Sequence, residues 1–402
     1  MARLARPHKE DRVKRPLKVA VVGAGIGGVA AAGALHKLGC EIELYERASD
    51  LGEVGAGLQI GPNGVKVLQA LGLDIRGSWV AEPVDTISLA WDDGHERFRE
   101  PMKATAIQKY GAPYITAHRA DLHRLLQEKV PEKAIHTEMR CTGVASDDKH
   151  AVATFADGTE VEADIVIGAD GIRSAVREAL FGVMPARYTE QMAWRGIISR
   201  DQVPTRVGPS KSVQISPMDY VGWIGPNGHV ICYPIRGGEL YNMFIGHVSP
   251  AWVDESWTAP STRQDILDAH KGWNDALLEM LGKCGDIYKW GIYDRDPLSQ
   301  WVKGRVALLG DAAHPMMPTL AQGASITLED SYAVARNIVQ NAAEPVAGLK
   351  AYENERLDRA RNVQLQARQQ FANNRKVPAP PPLSRDWIFE HDATRAPEAT
   401  AA

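Results

Sequence analysis

The chain has 402 residues, more than one hydrophobic core comfortably fills, so two units are expected. With 44% hydrophobic and 24% charged residues it has the balance of an ordinary globular protein, able to bury a large core. Its net charge of -4 gives no whole-molecule attraction to nucleic acid or to an anionic membrane, and no apolar run approaches the roughly 20 residues of a membrane helix; a soluble, cytoplasmic protein is expected.

Met1 to Pro16 is basic and lacks the apolar stretch of a secretory signal, while Glu10, Asp11 and the absence of serine argue against a mitochondrial presequence. It reads as a disordered leader. Cys40, Cys141, Cys232 and Cys284 are scattered, with neither CxxC nor metal-ligand spacing, so a reduced, intracellular chain without a metal site is expected.

Val19 to Val22 is a short apolar run, as expected of a strand buried on both faces. It leads into Gly23-Ala24-Gly25-Ile26-Gly27-Gly28 and a helix rich in small residues, and the chain returns as a second strand, Glu41 to Tyr45, ending on Glu46. This is a βαβ unit with the dinucleotide-binding spacing. Gly23 makes the tight turn, Gly25 admits a pyrophosphate, and Gly28 lets helix and sheet pack closely, with the phosphates at the positive helix N-terminus. Glu46, eighteen residues after Gly28, stands where an acid caps a ribose, and Arg47 follows it.

Leu51 to Asn63, which includes Gln59, is too glycine-rich for an ordinary helix and too apolar for a solvated loop, so its backbone is expected to lie against a ligand. A helix follows from about Gly64 to Leu71. Val84 to Arg99 alternates as a hairpin turning at Trp91 to His95. An amphipathic helix with Leu122, Leu125, Leu126 and Val130 on one face begins near Arg119, which reads either as a solvated arginine or as a bidentate phosphate contact.

A second hairpin, Ala151 to Phe155 with Glu160 to Asp164, delivers the buried strand Ile165 to Ile167 into Gly168-Ala169-Asp170-Gly171, and Ser174 is placed to cap a helix. From Ala193 to about Val248 the pattern is antiparallel sheet, the candidate substrate unit. Residues 262–281 read as helix and Ile287 to Tyr293 as a strand returning to the first unit. Arg305 to Leu309 is another buried strand, ending on Gly310-Asp311-Ala312-Ala313-His314-Pro315, followed by an exposed turn at Met316 to Pro318. A helix from Gln322 to Val339, a long polar helix from Leu349 to Asn373, an extended proline segment and a docked Trp387-Ile388-Phe389 complete the chain.

Taken singly, Asp311 reads as a helix cap and Asp170 as a turn residue. Together, the three glycine–acid motifs resemble the fingerprints of single-component FAD-dependent aromatic hydroxylases over roughly residues 17 to 392. The resemblance is greatest to the salicylate, 3-hydroxybenzoate and 6-hydroxynicotinate hydroxylases. It implies an α/β fold: a Rossmann-like FAD-binding unit (17–80, 110–185 and 290–345), an inserted antiparallel substrate unit (81–109 and 186–289), and a C-terminal helix and tail (346–402).

By resemblance, Glu46 holds the ribose, Arg119 the pyrophosphate and Asp311 the ribityl chain, while Asp170 matches a motif associated with both FAD and NAD(P)H. The helix beginning near Gln322-Gly323 points its N-terminus at the flavin pyrimidine ring, favouring the anionic reduced flavin. NADH or NADPH reduces the flavin and O2 adds as a C4a-hydroperoxide, whose attack needs an electron-rich ring. A free phenol has a pKa near 10, so a base beside its hydroxyl is expected. His229, Ile231 and Tyr233 share one face of a strand, and His229 and Tyr233 match the pair that binds and activates the phenol; the bland reading is an interior histidine and tyrosine.

Gln59 departs from the histidine of the 6-hydroxynicotinate type, and Thr319 from the glutamine of the 3-hydroxybenzoate type. His314 reads as structural, and Met316 and Met317 as pocket lining or core. The expected activity is hydroxylation of a small phenolic or hydroxy-heteroaromatic acid by a monomer or homodimer, with no nucleic acid or membrane partner. The rivals are a same-fold epoxidase or Baeyer-Villiger oxygenase on a larger substrate, and a flavin-binding module without turnover.

Overall fold

The computed structural model describes residues 15–52, 56–251, 259–285, 287–376 and 380–396. Most of the expected leader therefore lies outside the described residues, as do 53–55 of the glycine-rich stretch and 378–379 of the proline segment. Arg15, assigned to the leader, instead holds Asp164 through two hydrogen bonds of 2.8 and 2.7 Å. Among the described residues no helix is long and apolar enough to cross a membrane.

The first unit is built on a six-stranded sheet. Its centre is β1 (Lys18–Val22), which pairs in parallel with β2 (Glu41–Tyr45) on one side and with Ile165–Gly168 on the other; Val306–Leu308 then continues the parallel order. The unbroken apolar run of β1 follows from burial on both faces. Helix α1 (Ile26–Lys37) joins β1 to β2, and its small residues let it press against the helix Gly323–Gln340: a Cβ on Gly27 would stand 2.5 Å from a Thr327 methyl. As expected, the Ser174 hydroxyl caps the helix Ala175–Phe181, accepting from the Arg177 N–H.

The second sheet has eight strands. Arg187–Ser199, Leu240–Val248, Gly228–Ile235 and Tyr220–Gly225 pair antiparallel in that order, and Tyr220–Gly225 then pairs in parallel with Asp85–Ala90, the first strand of the early hairpin. The strand expected to return to the first unit, Tyr288–Asp294, pairs instead with Arg187–Ser199 and belongs to this sheet. The expected single helix over 262–281 is two, Arg263–Ala269 and Asp275–Leu281. Gly272 between them adopts φ +84, and Asn274 caps the second by accepting from the Ala276 N–H. Val213–Gln214 pairs only with Arg206–Val207, apart from the main sheet. A helix at Lys103–Tyr110, ended by Gly111 at φ +74, was not foreseen.

The C-terminal helix Pro345–Asn374 looks polar, yet Leu349, Tyr352, Arg356, Ala360, Val363 and Ala367 recur at helical spacing and are buried. Arg356 is sealed from solvent, its Nε 2.8 Å from Asp330 and a terminal nitrogen 2.6 Å from Glu329. Burial pushes the Glu329 carboxyl up, but the Arg356 and Arg359 charges more than offset it and hold it well below the usual carboxylate range. Ile388 and Phe389 dock the tail into the core as expected.

Replacing Arg356 by alanine strips buried Asp330 of its guanidinium and leaves Glu329 with Arg359 alone, and should cost about 3–5 kcal/mol. Urea unfolding of the variant, compared with the parent, checks this as a lowered midpoint at unchanged slope.

Candidate functional site

β1 ends at Val22, and the chain turns at Gly23, whose φ of +99 is a conformation that favours glycine. The three glycines differ in what surrounds them. A Cβ on Gly23 would lie 2.5 Å from the Ala169 carbonyl oxygen, and one on Gly28 only 1.8 Å from the Gly23 carbonyl oxygen, whereas one on Gly25 meets nothing within 4 Å. Gly23 and Gly28 are therefore held by packing, and Gly28 lies behind the cleft rather than in its lining. Gly25, just before α1, is open to the cleft, where the helix N-terminus favours an anion.

Glu46, at the end of β2, accepts from the N–H groups of Ala24 at 2.8 Å and Ala48 at 3.0 Å, which fixes its carboxylate beside this turn. Glu46, Arg47, Arg119, Asp170 and Asp311 line one cavity of about 1020 Å3. Arg119 opens the helix Arg119–Gln127. Asp311 follows the strand Val306–Leu308, facing the cleft; burial raises its carboxyl pKa, while His314 and Arg119 draw it down. Asp170 accepts from the Ser174 hydroxyl at 2.5 Å and the Val176 N–H at 3.1 Å, so the turn role and the cleft position are both present in one side chain.

A second cavity of about 400 Å3 adjoins the first, sharing Gly25, Arg119, Arg195 and Asp311. His229, Ile231 and Tyr233 form part of its wall, as strand alternation requires. The His229 ring lies against Gly246, its cross-strand partner, where a Cβ would come within 2.7 Å of the imidazole, and it stacks on Phe244 at 5.6 Å. Burial, with the nearby His270, lowers the His229 pKa to about 4. Tyr233 stacks on Tyr220 at 6.2 Å; burial pushes its pKa well above that of a free phenol, against the opposing charge of Arg195. Gln59 accepts from the Tyr114 hydroxyl at 2.7 Å on the same wall. Gly323 brings the N-terminus of its helix to the cavity, and no side chain caps that end.

Met316 and Met317 also line this cavity, so the turn expected to be exposed is turned inward, and Met317 is buried. Thr319 lines it too but spends its hydroxyl on the Ala367 carbonyl. His314 is buried away from the cleft against Asp330 and Trp301, structural as read.

Three residues escaped the sequence reading. Arg195 sits between the two cavities, its guanidinium 4.4 Å from the Trp290 ring, and a charged residue between Trp194 and Gly196 in a strand was the signal for it. Asn242 accepts from the Gly57 N–H at 2.7 Å, joining the strand Gly57–Ile60 to the second sheet, and Arg385 reaches the smaller cavity from the tail. Neither announces itself locally.

The open Gly25, the helix end, a carboxylate at the second strand and another at a later strand end fit a dinucleotide whose far end reaches the smaller cavity. Residues 16–367 match the FAD binding domain family. A 3-amino-4-hydroxybenzoate 2-monooxygenase of Streptomyces platensis is 37% identical over 355 residues, covering 88% of this chain and 87% of that protein. A 6-hydroxynicotinate 3-monooxygenase of Bordetella bronchiseptica is 34% identical over 387 residues, 94% of this chain and 96% of that one. Among solved structures, Klebsiella pneumoniae HpxO complexed with FAD and uric acid superposes with a TM-score of 0.81 at 26% identity over 91% of each chain.

The surroundings of the glycines separate fold from binding. Gly25→Val should leave the unfolding midpoint of the FAD-free protein unchanged and weaken FAD by at least about tenfold, or 1.4 kcal/mol. Gly28→Ala should lower the midpoint itself, by about 1–3 kcal/mol of overpacking or more. Flavin titration and thermal unfolding of both variants distinguish the two effects.

Proposed function

The chain belongs to the FAD binding domain family, and from that premise we propose that it is an FAD-dependent, NAD(P)H-consuming monooxygenase that hydroxylates a small phenolic or hydroxy-heteroaromatic carboxylic acid. The observation that carries this reading is the wall of His229, Ile231 and Tyr233 beside Asp311 and the uncapped helix end at Gly323. Its support from relatives is that the Streptomyces platensis and Bordetella bronchiseptica proteins are named for hydroxy-substituted aromatic acids.

Glu46 would hold the ribose, Gly25 and Arg119 the pyrophosphate, and Asp311 the ribityl hydroxyls. Gln59, Asp170 and Gly323 would bound the remainder of the flavin. Bound FAD, reduced by a nicotinamide and meeting O2, supplies the oxygen-transfer chemistry. What the chain adds is the activation of the ring. His229 is neutral at physiological pH because burial holds its pKa near 4, so its imidazole is available to accept a hydrogen bond from the phenolic hydroxyl. Tyr233 stays protonated and can donate to the substrate oxygen, orienting it. A cavity of about 400 Å3 suits one ring with its substituents better than a polyketide-sized substrate.

A panel of hydroxybenzoates and hydroxypyridine carboxylates, assayed for stimulated NADH oxidation with product identification, tests the reading; no stimulation by any acid would sink it. His229→Asn should lower kcat/KM about 10²–10⁴-fold with FAD still bound. Since protonation removes the acceptor, the His229 contribution should persist from neutral pH downward and be lost only as the pH falls through about 4.

A further inference from the structure

The described tail, residues 380–396, reaches the smaller cavity through Arg385. Ile388 and Phe389 are buried in the core, Arg359 donates to the Trp387 and Ile388 carbonyls at 3.3 and 2.9 Å, and Lys66 donates to the carbonyls of Phe389, Glu390 and His391 at 2.9–3.2 Å. This docking carries Arg385 to the cavity wall, 3.5 Å from the Leu320 carbonyl and 5.1 Å over the Phe389 ring. Tyr220 stands on the same wall, with Tyr114 behind it on Gln59, and the charge of Arg385 opposes the rise that burial gives both their hydroxyls.

We propose that Arg385 is the carboxylate anchor of the aromatic acid substrate, supplied to the cavity by the docked C-terminal segment. The proposal rests on the aromatic-acid reading above and names the group that would make the site selective for an anion. The lining of the smaller cavity carries three arginines, Arg119, Arg195 and Arg385, against one carboxylate, Asp311. Entering such a space, a carboxylate sheds water and must find charge-assisted hydrogen bonds in exchange.

The three cations are not equivalent. Arg119 acts on Asp311 and lines both cavities, which places it toward the phosphate end. Arg195 also lines both, with its guanidinium over Trp290. Arg385 lines only the smaller cavity, and its acidic neighbour Asp386 is turned away to Lys109 at 2.7 Å and Tyr110 at 2.5 Å. A planar guanidinium there can meet a carboxylate through two parallel hydrogen bonds while the ring extends toward Tyr233 and His229.

The test titrates the FAD-loaded protein with 3- and 4-hydroxybenzoate and with the corresponding neutral amides, following the visible flavin spectrum, and then assays NADH oxidation. Arg385→Gln should weaken acid binding at least about 30-fold, as loss of a charge-assisted pair implies, while amide binding changes less than about threefold and FAD content is unchanged. Arg385→Lys should fall between. Equal loss of acid and amide would reduce Arg385 to a tail fastener and overturn the proposal. So would no loss at all, or a charge-selective loss in Arg195→Gln instead. If the parent binds acids without stimulated NADH oxidation, the hydroxylase reading fails, while a charge-selective loss in Arg385→Gln still upholds the anchor. If the parent binds neither acid nor amide, both fall.

Discussion

One guanidinium, that of Arg356, sets the relative position of the parts that face the cofactor cleft. A charge sealed from water is tolerated only when its partners are correctly placed, so Glu329 and Asp330 fix the register between the helices Gly323–Gln340 and Pro345–Asn374. The constraint spreads outward. Glu329 also takes Arg359, which holds the tail through the Ile388 carbonyl, and Asn63, which in turn holds Gln322 beside the helix end at Gly323. Asp330 takes His314, and with it the loop that carries Asp311. The cleft-facing acid, the helix dipole and the tail thus answer to one buried ionic cluster.

Backbone approach is the second organising feature. Where the first sheet meets its ligand, glycine leaves room for a bound group; within and against the second sheet, glycine leaves room for a side chain. Gly57 yields to Asn242 and Tyr233, and Gly246 yields to the imidazole of His229. The same burial that packs these rings sets their protonation, keeping His229 neutral and Tyr233 protonated at neutral pH. Their protonation states are therefore set by desolvation rather than by any acidic partner.

The molecule is acidic overall, with a net charge of -4, yet the lining of the smaller cavity is cationic. Over a few ångströms in a low-dielectric cleft, local arginines outweigh charges that lie beyond a screening length on the surface. Those arginines come from three distant parts of the chain: a helix start, a sheet strand and the tail.

Local chemistry was enough to read the first βαβ unit with Glu46 at its end, the Ser174 cap and the shared face of His229 and Tyr233, whereas the cleft roles expected of Asp170 and Asp311 came only from the family resemblance. A turn that only glycine can make, a strand's two-residue alternation and a helix cap are each encoded within a few neighbouring residues. Tertiary structure alone decided the rest. Tyr288–Asp294 joined the second sheet because an apolar alternating run does not name its partner strand, and 262–281 broke where Gly272 took a left-handed turn that helical periodicity conceals. Arg356 could join the buried apolar stripe of Pro345–Asn374 because Glu329 and Asp330 came to meet it, and the inward turn of Met317 and the reach of Arg385 followed from packing across hundreds of residues. Sequence determines what each segment is able to form; which segments share a wall is settled only when desolvated charges and apolar faces find one another in three dimensions.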